Sequence, residues 1–353
     1  MLKGTPAVGA ASAASRRATL RTIAERAGVH VSTVSRVLNG RPGEDSRAAG
    51  IQTIGRIREI AAELSYTPDP SATSLRTQRT QLVGVLVPRL SDIVLATIYE
   101  GIEETAASYG YHTVVANTRD SASEQRVRTE IMLSRRADGL ILGDARFDAQ
   151  YADELAARGV PFVLVSRRAG EHSSVTCDDW TGGRMAAQHL LSLGHERVAV
   201  IAGEPYASTG IDRTAGFLDV YREAGLAVPD HMVLHSRFDA PGGHAAGSRL
   251  LSQLSRPTAL FAVNDFAAIG AMGAVREHGL RVGYDVSVVG FNDVSLAREL
   301  PVPLTTVRSP MYEMGQRAFQ VLMGVLRGQE AESQRLMPTL QVRESSQPPP
   351  GHG

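Results

Sequence analysis

Lysine is nearly absent from this 353-residue chain: Lys3 is the single one, and the other 36 of its 37 basic residues are arginine. With its one lysine so near the N-terminus, the chain cannot form a phosphate loop of the Gly-x-x-x-x-Gly-Lys kind. The arginine bias reads as codon usage, although arginine also suits phosphate and guanine contacts. Cysteine is as scarce. Cys177 stands alone, so no internal disulfide framework exists, which fits a reducing cytosol, and the residue reads as a small buried hydrophobe. No Gly-x-Gly-x-x-Gly follows the first strand-like run, "LVGVLVP"; Pro88 stands there instead. No nucleophile elbow stands out. The ten histidines are scattered without metal-ligand spacing and read mostly as surface or capping residues. In "CDDW" the neighbours Asp178 and Asp179 would point opposite ways on a strand end. No cofactor and no turnover are therefore expected. Long apolar runs are missing too: none approaches a membrane span, and the opening "MLKGTPAVGAASAASRR" lacks the apolar block of a signal peptide. The expected location is the cytoplasm, with residues 1–18 and 346–353 as disordered tails.

Hydrophobic residues, at 43%, are enough to fill real cores in two or three domains. Net charge is zero but unevenly spread. Residues 1–80 hold 12 Lys and Arg against 6 Asp and Glu, and residues 81–353 hold 25 against 31. A basic front on an acidic body suits a polyanionic partner, or simply a solvated basic face. From about Gln81, apolar runs ("LVGVLVP", "HTVVAN", "DGLILG", "PFVLVS", "RVAVIAG", "TALFAV", "VSVVGF") alternate with amphipathic helical segments such as "TGGRMAAQHLLSLG". That pattern means α/β architecture: two doubly wound parallel-sheet lobes with a cleft between them, over residues 81–345, with the boundary near 178 and a return near 308.

Ahead of Gln81 the pattern holds no strands. Leu20–Ala27, Ser32–Asn39 and Thr53–Leu64 read as helices of a small all-α head over residues 19–68, followed by a proline-broken linker, 69–80. In "TLRTIAERAGVHVSTVSRVLNG", Ile23, Ala24 and Ala27 give the first helix an apolar face. Gly28 sits where a left-handed turn is easiest. Val34, Val37 and Leu38 share one face of the second helix, leaving Ser32, Thr33, Ser35, Arg36 and Asn39 outward. This describes a helix-turn-helix with its second helix sized for the major groove, or a plain helical hairpin with a solvated face.

"AERAGV" with "TVSRVLNG" resembles the headpiece of the LacI/GalR family of bacterial transcription regulators. The resemblance continues in order through "SLRTQRT", "DGLILG", "LGHERVAVIAG", "VNDFAAIGA", "DVSVVGFND" and "PLTTVRSP", from Thr19 to Glu344. It implies a periplasmic-binding-protein-like body. It also implies a repressor that reads a palindromic operator as a homodimer and is controlled by a small sugar-like effector. Val31 and Ser32 occupy base-reading positions. Thr33, Ser35, Arg36 and Asn39 match base and phosphate contacts, and Leu20 and Arg21 open the first helix near the DNA backbone. Ser32 and Thr33 are also natural helix caps. Leu75 matches a leucine that wedges into the minor groove, with Ala72 beside it, or it is an ordinary linker residue. Three departures stand out. His30 replaces the usual Ser, a helix cap and phosphate contact, so either the cap falls to Ser32 or His30 itself faces phosphate. Pro70 and Ser71 open the hinge. A loop about five residues longer than usual precedes the third helix, an addition of small thermodynamic cost.

In the body, Arg213 matches an effector-clamping arginine, Asn264 and Asp265 sit at a strand end facing the cleft, and Asn292 replaces a common acid. Asp265 and Asp178 are equally natural helix caps, and Phe238 is either a sugar-stacking ring or core. Asp179 stands where many members have Asn. "RLSDIVL", Arg89 to Leu95, has lost the aromatics usual there, and Ser166 replaces a common Asp, followed by Arg167 and Arg168. These changes speak against a plain neutral hexose, and Arg89, Arg167 and Arg213, if they face the cleft, suit an acidic or phosphorylated ligand. "ESSQPPPGHG" carries no leucine heptad, which favours a dimer over the family's tetramers. Rival readings are a sugar-binding or enzymatic α/β body whose head no longer reads DNA.

Overall fold

The computed structural model describes residues 18–39, 50–66 and 79–350, in two compact units, residues 1–80 and 81–353. The first unit holds helices α1 (Leu20–Ala27), α2 (Val31–Asn39) and α3 (Ile51–Glu63). Thr19 caps α1, its hydroxyl accepting the Thr22 N–H at 3.2 Å. Gly28 ends it at φ 66°, a conformation that other residues adopt only under strain. Ile23, Val34 and Ile57 are fully buried, one from each helix, with Ala24, Ala27, Val37, Ile60 and Ala61 around them. Each such aliphatic side chain stabilises the head by about 1.5–3 kcal/mol. Arg26 of α1 also reaches Glu63 of α3 at 2.9 Å. The second helix starts one residue earlier than expected and the third two residues earlier, ending at Glu63. Ala72 and Leu75 lie outside the described residues.

The second unit contains two six-stranded sheets. The first is built from β1 (Leu82–Val87), β2 (His112–Asn117), β3 (Gly139–Leu142), β4 (Phe162–Val165), β5 (Ser174–Cys177) and β11 (Gln334–Leu336), in the order β11-β5-β4-β3-β1-β2. The second is built from β6 (Val198–Ala202), β7 (Val233–His235), β8 (Ala259–Ala262), β9 (Ser287–Asn292), β10 (Thr305–Arg308) and β12 (Thr339–Gln341), in the order β12-β10-β9-β8-β6-β7. Every pairing is parallel except β10 with β12. Strands covered on both faces must be apolar throughout, and β3, β6 and β8 are buried along their whole length. The chain passes between the sheets three times: after Cys177, after Arg308 and at Met337–Pro338. The first two passages lie near the positions read from the sequence; the third was not anticipated.

Helices α4 (Ile93–Ser108), α5 (Ala122–Ser134), α6 (Gln150–Ala157) and α11 (Met311–Leu326) belong to the first lobe, where α11 packs on α4 and on β3, β4 and β5. Helices α7 (Asp179–Ser192), α8 (Ser208–Glu223), α9 (Ala240–Leu251) and α10 (Asp265–Glu277) belong to the second. A Cβ on Gly216 of α8 would lie 2.0 Å from the Trp180 carbonyl oxygen, so α7 and α8 meet backbone to backbone. Ser346 and Gln347, expected within a tail, are instead docked. Ser346 is 3% exposed, the Ser287 hydroxyl donates to the Gln347 carbonyl at 2.9 Å, and His195 contacts the same oxygen at 2.8 Å. Hydroxyl and carbonyl groups of the segment satisfy polar groups of β9 and β10 that would otherwise be buried alone. His195 is thus a core residue, not a surface one. Cys177 is buried, and burial pushes its thiol up to about 12.

Candidate functional site

Two surfaces gather the residues singled out in the sequence. On the head, Val34 and Val37 anchor α2 against α1 and α3, so the opposite face turns to solvent. His30, Ser32 and Arg36 are exposed, and Val31 is 37% exposed. Thr33 and Ser35 are half-buried, less open than their helical positions suggested. The Ser32 N–H donates to His30 Nδ1 at 3.2 Å, so the imidazole caps α2 and Nδ1 must be the unprotonated nitrogen. Arg36 folds back along the helix, Nε donating to the Ser32 carbonyl at 3.2 Å. Leu20 tucks partly into the head core, and Arg21 stays exposed beside Glu25 at 3.4 Å. Asn39 is the last residue of α2.

The second surface is a cleft between the lobes with a volume of about 260 Å³. It lies outside the carboxyl ends of the parallel strands, the place where open α/β sheets bind ligands. Of the residues expected there, Ser166, Arg167, Arg213, Phe238, Asn264 and Asn292 all line it, as does Arg89. Asp265 does not. It is fully buried, and its carboxylate accepts the Thr306 hydroxyl at 2.5 Å and the Val294 N–H at 2.8 Å, binding β10 and the loop after β9 to α10. As the first residue of α10, it points into the lobe while its neighbour Asn264 takes the wall. Nor is Asp265 the helix cap: Asn264 is, its Oδ1 accepting the Ala267 N–H at 2.9 Å. Asp178 and Asp179 sit at a helix start, not on a strand end. Asp178 caps α7, and Asp179 turns to Arg213 at 2.8 Å.

Arg213 is almost wholly buried. Nε is held by Asp179, Nη1 donates to the Val263 carbonyl at 2.8 Å, and the guanidinium lies 3.7 Å from the Phe291 ring centroid. These bonds use Nε and Nη1, and Arg213 lines the cleft. Burial pushes the Asp179 carboxyl up to about 6 despite the nearby guanidinium. Arg167 forks onto Asp120 at 2.7 and 2.9 Å. Burial alone would raise Asp120, yet the bonds from Arg167 and Tyr206 outweigh it and hold the carboxyl below its ordinary value. Asn292 Oδ1 is buried without a partner, at a residue with φ 112°. An unsatisfied buried acceptor costs about 1–3 kcal/mol and waits for a donor. Arg119, Asp120 and Ser166 share this cleft wall and also have positive φ, so backbone strain gathers where a ligand would sit.

Sequence reasoning missed Asp120, Glu204, Tyr206, Arg237 and Asp239, all on the wall. Each lies in a loop that follows a strand, and that position is the signal that could have found them. Among the described residues, no three His, Cys, Asp or Glu side chains gather as a metal site, and no helix is long and apolar enough to cross a membrane.

The profile described as bacterial regulatory proteins, lacI family, matches residues 19–69, and that of a periplasmic binding protein-like domain matches residues 187–346. The ribose operon repressor of Haemophilus influenzae is 33% identical over 93% of this chain and 98% of its own length. Among solved structures, the Lac repressor dimer bound to operator and the anti-inducer ONPF is 28% identical with a TM-score of 0.84, covering 94% of this chain and 100% of that one. The complex of the transcriptional regulator CelR with cellobiose is 30% identical with a TM-score of 0.71, over 93% and 100%. With head, cleft and near-complete coverage in agreement, the chain belongs to the lacI family of bacterial regulatory proteins.

Proposed function

We propose that this protein is a cytoplasmic, non-enzymatic transcriptional repressor that binds a palindromic operator as a homodimer and is controlled by a small ligand in the inter-lobe cleft. The observation that carries the DNA reading is the solvent-facing row of capping His30 with Ser32 and Arg36 of α2, a helix whose other face is locked into the head core. Residues 19–68 form the DNA head, and Val31, Ser32, Thr33, Ser35, Arg36 and Asn39 contact bases and phosphates. Leu20 and Arg21 sit near the backbone. Residues 69–80 form a hinge whose Leu75, beside Ala72, enters the minor groove. Residues 81–345 bind effector and dimerise.

The cleft favours a polyhydroxylated, sugar-like ligand over a phosphorylated one. Arg167 and Arg213 are already neutralised by Asp120 and Asp179, so little net positive charge remains for a phosphate. The similar regulator CelR, solved as a complex with cellobiose, points the same way. Arg213 and the orphaned Asn292 Oδ1 supply one donor and one acceptor for hydroxyls, and Phe238 supplies an apolar face. DNA and ligand affinities are then reciprocally coupled. The test is selection of bound duplexes from a random pool, then anisotropy on the winner with wild type and Leu75→Ala. A palindrome that binds tightly and weakens in the variant supports the reading. Weak, salt-sensitive binding with no sequence preference overturns it.

A further inference from the structure

One segment of the second lobe, Tyr206 to Asp212, reaches across the cleft and grips three loops of the first lobe, those after β2, β3 and β4. The Tyr206 hydroxyl donates to Asp120 at 3.1 Å, and the Tyr206 carbonyl accepts the Phe147 N–H at 2.8 Å. The Arg146 guanidinium lies over the same ring, 4.0 Å from its centroid. Further along, the Arg168 N–H donates to the Ser208 hydroxyl at 2.9 Å, and the Arg168 side chain forks onto Asp212 at 2.8 and 2.7 Å. Asp120, Arg146, Phe147 and Arg168 all belong to the first lobe. Tyr206, Ser208 and Asp212 all belong to the second. Every one of these ties joins protein directly to protein.

We infer that Tyr206–Asp212 is a clasp that holds the cleft closed before any ligand arrives, and that Tyr206 is its central positioning residue. The geometry distinguishes a clasp from ordinary packing. Each tie is polar and directional, and each needs its partner lobe at one separation, so a small opening breaks all of them together. The Tyr206 and Asp120 groups also answer each other. Burial and the neighbouring carboxylate push the Tyr206 phenol up to about 12, so it stays a donor, while the bonds from Arg167 and Tyr206 keep Asp120 an acceptor. A protein that already populates its closed form spends little of a ligand's affinity on closing. The fraction closed without ligand, and so the sharpness of the response, is set by the clasp. This inference builds on the cleft reading proposed above, yet it is tested without ligand or DNA. Its failure would leave the repressor reading standing.

The experiment is hydrogen exchange of the full-length protein, read by mass spectrometry on peptides covering Arg146–Asp148 and Arg167–Gly170. In the wild type, the Phe147 and Arg168 amides should be protected. Tyr206→Phe keeps the ring and loses one tie; Asp212→Asn weakens the fork. Each should speed exchange of both peptides about tenfold, because loss of one charge-assisted bond shifts a shared opening equilibrium by that factor. Peptides from β3 and β8 should not change. If Asp212→Asn disturbs those strands, Tyr206→Phe decides alone. Exchange at the free-amide rate in the wild type, or no acceleration in Tyr206→Phe, overturns the clasp.

Discussion

Asp265 should make this protein lose stability as the pH rises from about 5 to about 8. Its side chain is fully buried, and burial pushes the carboxyl from 3.8 up to about 7, even though the Thr306 hydroxyl and the Val294 N–H both donate to it. In the unfolded chain the group ionises near its ordinary value. The folded state therefore holds the proton more tightly. Its stabilising contribution is complete below the ordinary pKa and is lost as the pH climbs through about 7. Between about pH 5 and about pH 8 the linkage amounts to ~2–3 kcal/mol. Asp265→Asn removes the titration while keeping one acceptor for the Val294 N–H. For a unit of this size, ~1 kcal/mol moves Tm by roughly 2–4 °C, so the wild type should lose about 5–10 °C relative to the variant over that range. Thermal melts of both proteins at about four pH values measure the difference, and other titrating groups cancel in it. Parallel pH profiles would refute the argument, because they would mean that Asp265 has the same pKa folded and unfolded.

Three further outcomes follow from the same contacts. Arg213→Met removes the partner of buried Asp179, which should then take up a proton at neutral pH. The body should lose about 3–5 kcal/mol at alkaline pH and less in mild acid, by urea titration at two pH values. Ile57→Ala opens a cavity among the three head helices; it should destabilise the head by about 2–4 kcal/mol and abolish operator binding, while melting of the body is unchanged. Gly216→Ala puts a methyl against the Trp180 carbonyl and should push α7 and α8 apart at a cost of about 1–3 kcal/mol, visible as a change in the emission of the single tryptophan.

The helical head was legible because its signals are local. The apolar face of Ile23, Ala24 and Ala27, a left-handed Gly28 and the i, i+3 pair Val34 and Val37 all act within a few residues. The buried strands β1, β3, β6 and β8 were legible as unbroken apolar runs. The short strands β5, β10, β11 and β12 were not, because Ser, Thr, Gln and Arg dominate them and their pairing partners lie far away in the chain. Cleft residues tied to a motif, such as Arg213, Asn264 and Asn292, could be placed from the sequence. Asp265 could not: which of two adjacent polar residues faces the cleft depends on the turn of one helix. Asp120 and Tyr206 were missed because their meaning arises only when loops from the two lobes come together.

The three passages between the lobes also bear on how the protein is made. The first lobe lacks α11 and its outer strand β11 until residue 336 has been added, and the second lobe lacks β12 until residue 341. From β6 onward, a chain emerging from the ribosome therefore carries two unfinished sheets, each with an uncovered edge. The head, whose contacts span fewer than 50 residues, has everything it needs long before then. Premature termination late in the message would release a head able to fold, attached to a body able neither to close nor to respond. For such a protein, the codons for residues 334–341 decide whether the product can be regulated.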